Sequence, residues 1–255
     1  MTEALLSVYF HGVPGGAGEL QLFGPDIAAR CSDFVIAQRD FPELPSGADP
    51  YAAMASALRA AYPDQPLKLI GFSMGASAAL RVAPLLGDQV KSIDLISAAA
   101  PLTLNDYLEG MAGAPVFRCA RDHPFAFGIM AKGQSLLAKA KPSLLYSALF
   151  SSAQGCDLNL REDERFKTIM IPMLRDYFAN SLKTYRTEIL SYVSDWSGTL
   201  SRVTQPVSIY HGQVDNWSPP EMAADLAQRL GDCQRLETFG GCSHYSALEA
   251  YLRLR

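Results

Sequence analysis

The sequence predicts an α/β fold, a mostly parallel sheet flanked by helices, and three observations carry that expectation. Short apolar runs recur along the chain between glycine- and proline-containing loops, as strands buried on both faces do. Between several of them apolar residues return every three or four positions, the period of a helix lying against a sheet. One run passes directly through Gly71-Phe72-Ser73-Met74-Gly75 into a small-residue helical pattern, a sharp strand–turn–helix.

In chain order, residues 5–10 form the first strand, ending at His11-Gly12, and residues 34–37 the second, before a Pro-rich loop at 41–50. Met54, Leu58 and Ala61 mark a helix over 50–62 that Pro63 stops. Strand 67–71, the glycine-flanked turn and a helix to about Leu86 follow, then strand 90–97. Between about 102 and 200 no buried strand is legible. Residues 142–150 and 165–196 carry helical spacing, the latter interrupted at Pro172. Strand 206–210, a helix over 220–230, strand 236–239 and a helix over 246–254 close the chain. The expected division is a core of 1–101 and 200–255 holding a helical insertion at 102–199.

With 49% hydrophobic and 19% charged residues among 255, the chain has the composition of a globular protein with a substantial core. A net charge of −4 gives no sign of a nucleic-acid or membrane-surface partner, and no run is long enough to span a bilayer. The first residues lack a basic segment, so no signal peptide is expected. Five scattered cysteines without C-x-x-C spacing read as reduced thiols in a cytoplasmic protein. The four histidines are far apart, so no metal site and no cofactor are expected.

The turn at 71–75 can present the Ser73 hydroxyl as a nucleophile, with the following helix directing its positive end at the same point. The competing reading is Ser73 as an ordinary helix N-cap. A serine nucleophile needs a base, and imidazole suits that task near neutral pH. His244 occupies a Gly-rich loop between the last strand and the last helix. His11 and His211 end strands before glycines, where a structural hydrogen bond is as natural, and His123 lies inside the insertion. Asp215, in the turn after strand 206–210, can orient the base; it can also hold its own loop as an Asx-turn. Asp94 lies within a strand, and Asp106 and Glu109 fall in the insertion.

The order Ser73, Asp215, His244 in these surroundings resembles the α/β-hydrolase superfamily, and its capped, esterase-like branch in particular. The resemblance spans most of the chain, from the His11-Gly12-Val13-Pro14-Gly15-Gly16 turn to the final histidine loop. It implies Ser73 as nucleophile, His244 as general base, Asp215 as orienting acid, and the backbone N–H groups of Val13 and Met74 as oxyanion hole. It implies that 102–199 is the cap that roofs the pocket. Two departures stand out. The family's N-terminal antiparallel hairpin has no counterpart before residue 5, and Ala76 follows the turn where many relatives carry another glycine.

The resemblance implies cleavage of a small or medium carboxylic ester or thioester through an acyl-enzyme. A carbon–carbon bond hydrolase with the same triad and a non-catalytic small-molecule binder are the alternatives. A small-molecule acyl substrate is the expected partner, and homodimerisation stays open. His11, Gly12, Phe72, Trp217, Tyr146 and Phe150 are the candidate substrate contacts. The insertion also supplies Phe117, Phe125, Phe127, Tyr177, Phe178 and Trp196, of which a few are expected at the pocket.

Overall fold

Apolar runs with no polar face can only be buried between two helical layers, and that is where they lie. The computed structural model describes residues 5–39 and 48–255, so residues 41–47 of the Pro-rich loop lie outside it. Six strands form one sheet: β1 (Leu6–Phe10), β2 (Val35–Ile36), β3 (Leu67–Phe72), β4 (Val90–Ile96), β5 (Val207–Gly212) and β6 (Cys233–Phe239). Their order is β2-β1-β3-β4-β5-β6, and every pairing is parallel. Phe10 pairs with Gly71, Phe72 with Ile96, Ile96 with Tyr210 and Gly212 with Phe239. The C-terminal ends of β1, β3, β4, β5 and β6 therefore finish along one edge, and the loops after them meet there.

Helices α1 (Pro25–Arg30), α2 (Pro50–Ala61) and α3 (Met74–Leu86) belong to the first half of the chain, α10 (Pro220–Arg229) and α11 (His244–Leu254) to its end. Helix α3 packs on β3 and β4 and beside α2, whereas α11 packs on β5 and β4 with α1 alongside. Alanines at 76, 78 and 79 are buried on α3 and let it approach the sheet closely. The strand over 34–37 is shorter than its sequence suggests, and the one at 236–239 begins earlier, at Cys233. Both are edge strands, paired on one side only, so neighbouring backbone decides their length more than their own residues do.

Between β4 and β5 there is no strand. That segment carries α4 (Ala114–Asp122), α5 (Pro124–Ala140), α6 (Pro142–Leu149), α7 (Asp157–Glu162), α8 (Glu164–Asn180) and α9 (Leu182–Val193). Proline sets two of the breaks. His123 and Lys141 each precede a proline and leave the helical region, with ψ of 66° and 67°, so α4 ends before α5 and α5 before α6. Pro172 behaves otherwise: the interruption expected there is absent and α8 runs through it. Its ring is on the exposed side, while buried Phe166, Met170, Leu174, Tyr177 and Phe178 hold both halves of α8 against neighbouring helices. The break falls instead at Ser181, between α8 and α9.

Several contacts bind these helices to the sheet domain. Tyr192 donates to the Ala100 carbonyl at 2.8 Å, and Arg81 of α3 donates to Ser191 Oγ and O at 2.7 and 2.9 Å. Buried Arg39 bridges the His11 carbonyl and the Glu188 carboxylate, which also accepts from Tyr177. All five cysteines are free. No described helix is long and apolar enough to cross a membrane.

Candidate active site

Ser73 sits at φ 56° and ψ −128° between β3 and α3, outside the region an L-residue prefers. The two glycines that flank it have separate steric reasons. A Cβ on Gly71 would lie 2.5 Å from the Ala76 Cα, and one on Gly75 would lie 2.0 Å from the Phe10 carbonyl oxygen. The turn therefore folds back on its own helix and against the end of β1, and no side chain larger than hydrogen fits either contact. The Ser73 N–H donates to Ile96 O at 2.9 Å, and Ser73 O accepts from Ala76 and Ala99, so neighbouring backbone holds the strained residue on both sides.

Asp215 leaves the end of β5 in the turn Gln213–Ser218. Its Oδ1 accepts from the N–H groups of Trp217 and Ser218 at 2.9 and 3.0 Å, and Oδ2 meets His244 Nδ1 at 2.8 Å. One oxygen thus ties its own loop while the other faces the imidazole. Burial alone raises this carboxyl, yet the His244 and His211 rings and the Ser218 N–H together outweigh burial and hold it below its usual range. His244 is buried, stacked on Trp217 at 5.7 Å and packed against Phe72 at 4.8 Å. These contacts fix the ring with Nδ1 toward the acid.

Ser73, Met74, Val13 and Trp217 line one cavity of about 450 Å³, together with residues of α4, α5, α6, α8 and α9. Its walls are mostly apolar; besides Ser73 and the tyrosines Tyr185 and Tyr192, the polar residues are Gln134, Ser151, Ser152, Asn216 and Ser218. The Val13-Pro14 peptide is cis.

The family profile of the alpha/beta hydrolase fold matches residues 23–251. The chain belongs to this family. A comparison with curated proteins finds no match. Among solved structures, an alpha/beta hydrolase enzyme from a Medee basin deep-sea metagenome library is similar over 100% of this chain and 88% of its own, with a TM-score of 0.67 and 14% identity. A thermophilic esterase from Thermogutta terrifontis is similar over 99% and 87%, with a TM-score of 0.62 and 18% identity. An enol-lactonase from Burkholderia xenovorans is similar over 99% and 90%, at 0.62 and 16%. At these identities the likeness is one of fold.

Within this alpha/beta hydrolase the other residues singled out from sequence are dispersed. His11 does not line the Ser73 cavity; it faces a neighbouring hollow with Arg39 and Tyr177, and its Nδ1–H donates to the Gly12 carbonyl at 2.8 Å. Burial, with Arg39 close by, lowers its pKa to about 3, so the ring is neutral. Gly12 turns its N–H away, onto the Glu19 carboxylate. Phe72, the last residue of β3, packs against His244 and Tyr245 and does not line the cavity. Tyr146 and Phe150 pack against each other with tilted rings, and Phe150 packs against Trp217; neither Tyr146 nor Phe150 lines the cavity. Phe117 and Phe178 do line it, whereas Phe125 faces solvent. His211 donates from Nε2 to Ser218 O at 2.8 Å and braces the Asp215 turn; burial lowers its pKa.

Two carboxylates that the sequence reading passed over stand behind the site. Glu19 is fully buried and accepts from Tyr9 Oη at 2.7 Å and from the Gly12 N–H at 3.0 and 3.1 Å, anchoring the loop that carries Val13. Asp157 of α7 accepts from Tyr245 N at 3.0 Å, Ser246 N at 2.7 Å and Ser246 Oγ at 2.6 Å. It caps α11 from another segment of the chain. That contact also explains why α11 starts at His244, earlier than the expected 246: the orphan N–H groups of its first turn have an acceptor. His244 is therefore the first residue of a helix, not a member of a free loop. A weak signal existed for Glu19, the lone acid in a Gly-rich turn; none existed for Asp157.

Among the described residues no group of three His, Cys, Asp or Glu side chains is placed to hold a metal ion.

Proposed function

We propose that the protein is a serine hydrolase that cleaves a small or medium carboxylic ester or thioester through an acyl-enzyme. The observation that carries this reading is the 2.8 Å contact from His244 to a doubly anchored Asp215 on the same sheet edge as the strained Ser73. Ser73 Oγ attacks the acyl carbonyl while His244 takes its proton, and Asp215 keeps the imidazole in the tautomer that can do so. The oxyanion is received by the N–H groups of Met74, at the positive end of α3, and of Val13. Collapse expels the alcohol or thiol, protonated by His244, and water then repeats the sequence on the acyl-enzyme.

Residues 102–199 serve as the cap in this reading, since that segment, through α4, α5, α6, α8, α9 and the loops at 110–113 and 151–152, supplies most of the cavity lining. The predominantly apolar lining suits an acyl chain of a few carbons and offers no cluster of cations for a phosphate or polyanion. The test is release of p-nitrophenol from short-chain acyl esters, with labelling by a fluorophosphonate probe. Wild-type protein is expected to turn over and to be labelled, Ser73→Ala to do neither, and Asp215→Asn to lose about 10³–10⁴-fold in kcat through loss of the productive tautomer. No turnover together with an unlabelled Ser73 would leave a non-catalytic small-molecule binder as the better reading.

A further inference from the structure

Large apolar side chains left in solvent gather on α5 and α6. Phe125 is 84% exposed, Ile129 60%, Leu136 67% and Leu144 53%. On α5 the first three fall at i, i+4 and i+11, and the exposed Lys132 and Lys139 fall at i+7 and i+14. At about 100° per residue these five positions share an arc of about 80°. The opposite face of α5, with Phe127, Ala131, Ser135 and Ala138, is buried in the helical segment. Helix α5 is thus apolar on both sides, and one side has no protein against it.

Along the chain that carries this stripe the charge has one sign, with the Arg121–Asp122 pair just before it. Residues 123–156 contain Lys132, Lys139 and Lys141 and no acidic residue, in a chain whose net charge is −4. None of these lysines forms an ion pair among the described residues. The net acidity of the whole chain, which gave no sign of a membrane-surface partner, conceals a local basic and apolar face. We propose that this face of α5 and α6 docks on an anionic phospholipid surface. Aromatic and aliphatic side chains flanked by lysines are what an interfacial helix presents to headgroups and acyl chains. A second copy of the chain fits less well, because a two-fold contact sets the same lysines against themselves. The face also continues to the cavity. Ala148, one turn from Leu144 on α6, is exposed and lines the cavity that holds Ser73. Docking in this way brings the rim of the cavity to the lipid. The proposal does not depend on the reaction at Ser73.

Co-sedimentation of the full chain with vesicles tests it, comparing phosphatidylcholine alone with phosphatidylcholine containing phosphatidylglycerol. Adding the anionic lipid is expected to raise the partition coefficient at least about tenfold, and added salt to lower it. Lys132→Glu with Lys139→Glu, and separately Phe125→Ser with Leu136→Ser, are each expected to remove at least about tenfold of that binding. Thermal melts of both double variants, and their hydrolysis of a soluble p-nitrophenyl ester, should match wild type. Equal binding to both kinds of vesicle, or variants that sediment as wild type does, would overturn the proposal. So would a wild-type dimer in light scattering that Phe125→Ser with Leu136→Ser dissolves, which assigns the face to a second copy instead.

Discussion

At Ser73 the backbone occupies φ 56° and ψ −128°, a conformation glycine enters freely and other residues enter at a cost of about 1–3 kcal/mol. The hydroxyl is held at the tip of the turn at the expense of local stability. Replacing the residue by glycine and by alanine separates the two effects, since both remove the hydroxyl but only alanine keeps the strain. Ser73→Gly is expected to unfold at higher denaturant than Ser73→Ala, by about 1 kcal/mol, while both are inactive. Equal midpoints would mean that the turn carries no strain. The importance of Ser73, Gly71 and Gly75 was legible in the sequence because each need is local. The turn must be tight, and the residues that make it so are adjacent in the chain. The substrate contacts were not legible. His11, Phe72, Tyr146 and Phe150 are near Ser73 in chain or in composition, but the direction of each side chain is set by packing between distant segments.

Helix α11 shows what an element borrows from elsewhere. Its own sequence offers Ser246 Oγ to the Ser243 N–H, which is a modest N-terminal signal. The decisive acceptor is Asp157, 88 positions before Tyr245, and no periodicity in either segment announces it. Burial pushes this carboxyl up, and its hydrogen bonds to Ser246 and Tyr245 offset only part of that cost. Asp157→Ala leaves two buried N–H groups of the first turn without an acceptor. The expected loss is about 2 kcal/mol or more of unfolding free energy. Hydrogen exchange should quicken in the first turn of α11 while the sheet stays protected. A uniform change across the chain would instead make Asp157 an ordinary packing residue. The same distinction explains Pro172. Sequence supplies the breaker, but the apolar face of α8 spans it, whereas Pro124 and Pro142 stand where no such continuity opposes them.

For the molecule as a whole, the buried Glu19 links stability to pH. Burial raises its pKa from 4.5 to about 7, against the opposing pull of Tyr9, Gly12, Arg39 and His244. Between those two values the folded chain keeps a proton that the unfolded chain has released. Its contribution to stability is therefore complete below about pH 4.5 and is lost as pH rises through about 7. Measured against Glu19→Gln, the wild-type unfolding free energy should fall by about 3 kcal/mol across that window and be level on either side. A difference that does not vary with pH would mean that Glu19 is ionised in the fold at a near-ordinary pKa. The parallel sheet, its flanking helices and the chain order of Ser73, Asp215 and His244 could be read from sequence, because strand burial and turn chemistry repeat a simple pattern. The joints between the helical segment and the sheet could not, since Arg39, Arg81 and Asp157 act across long stretches of chain.

The carboxylate of Asp157 gives the helical segment a second task besides walling the cavity. Exchanging residues 102–199 for the equivalent stretch of a relative, the obvious route to a new substrate range, would also withdraw the acceptor from the start of α11. A chimaera that admits a different ligand must therefore bring a carboxylate of its own to the N–H groups of Tyr245 and Ser246. Without one, the graft would reshape the pocket and loosen the imidazole in the same step.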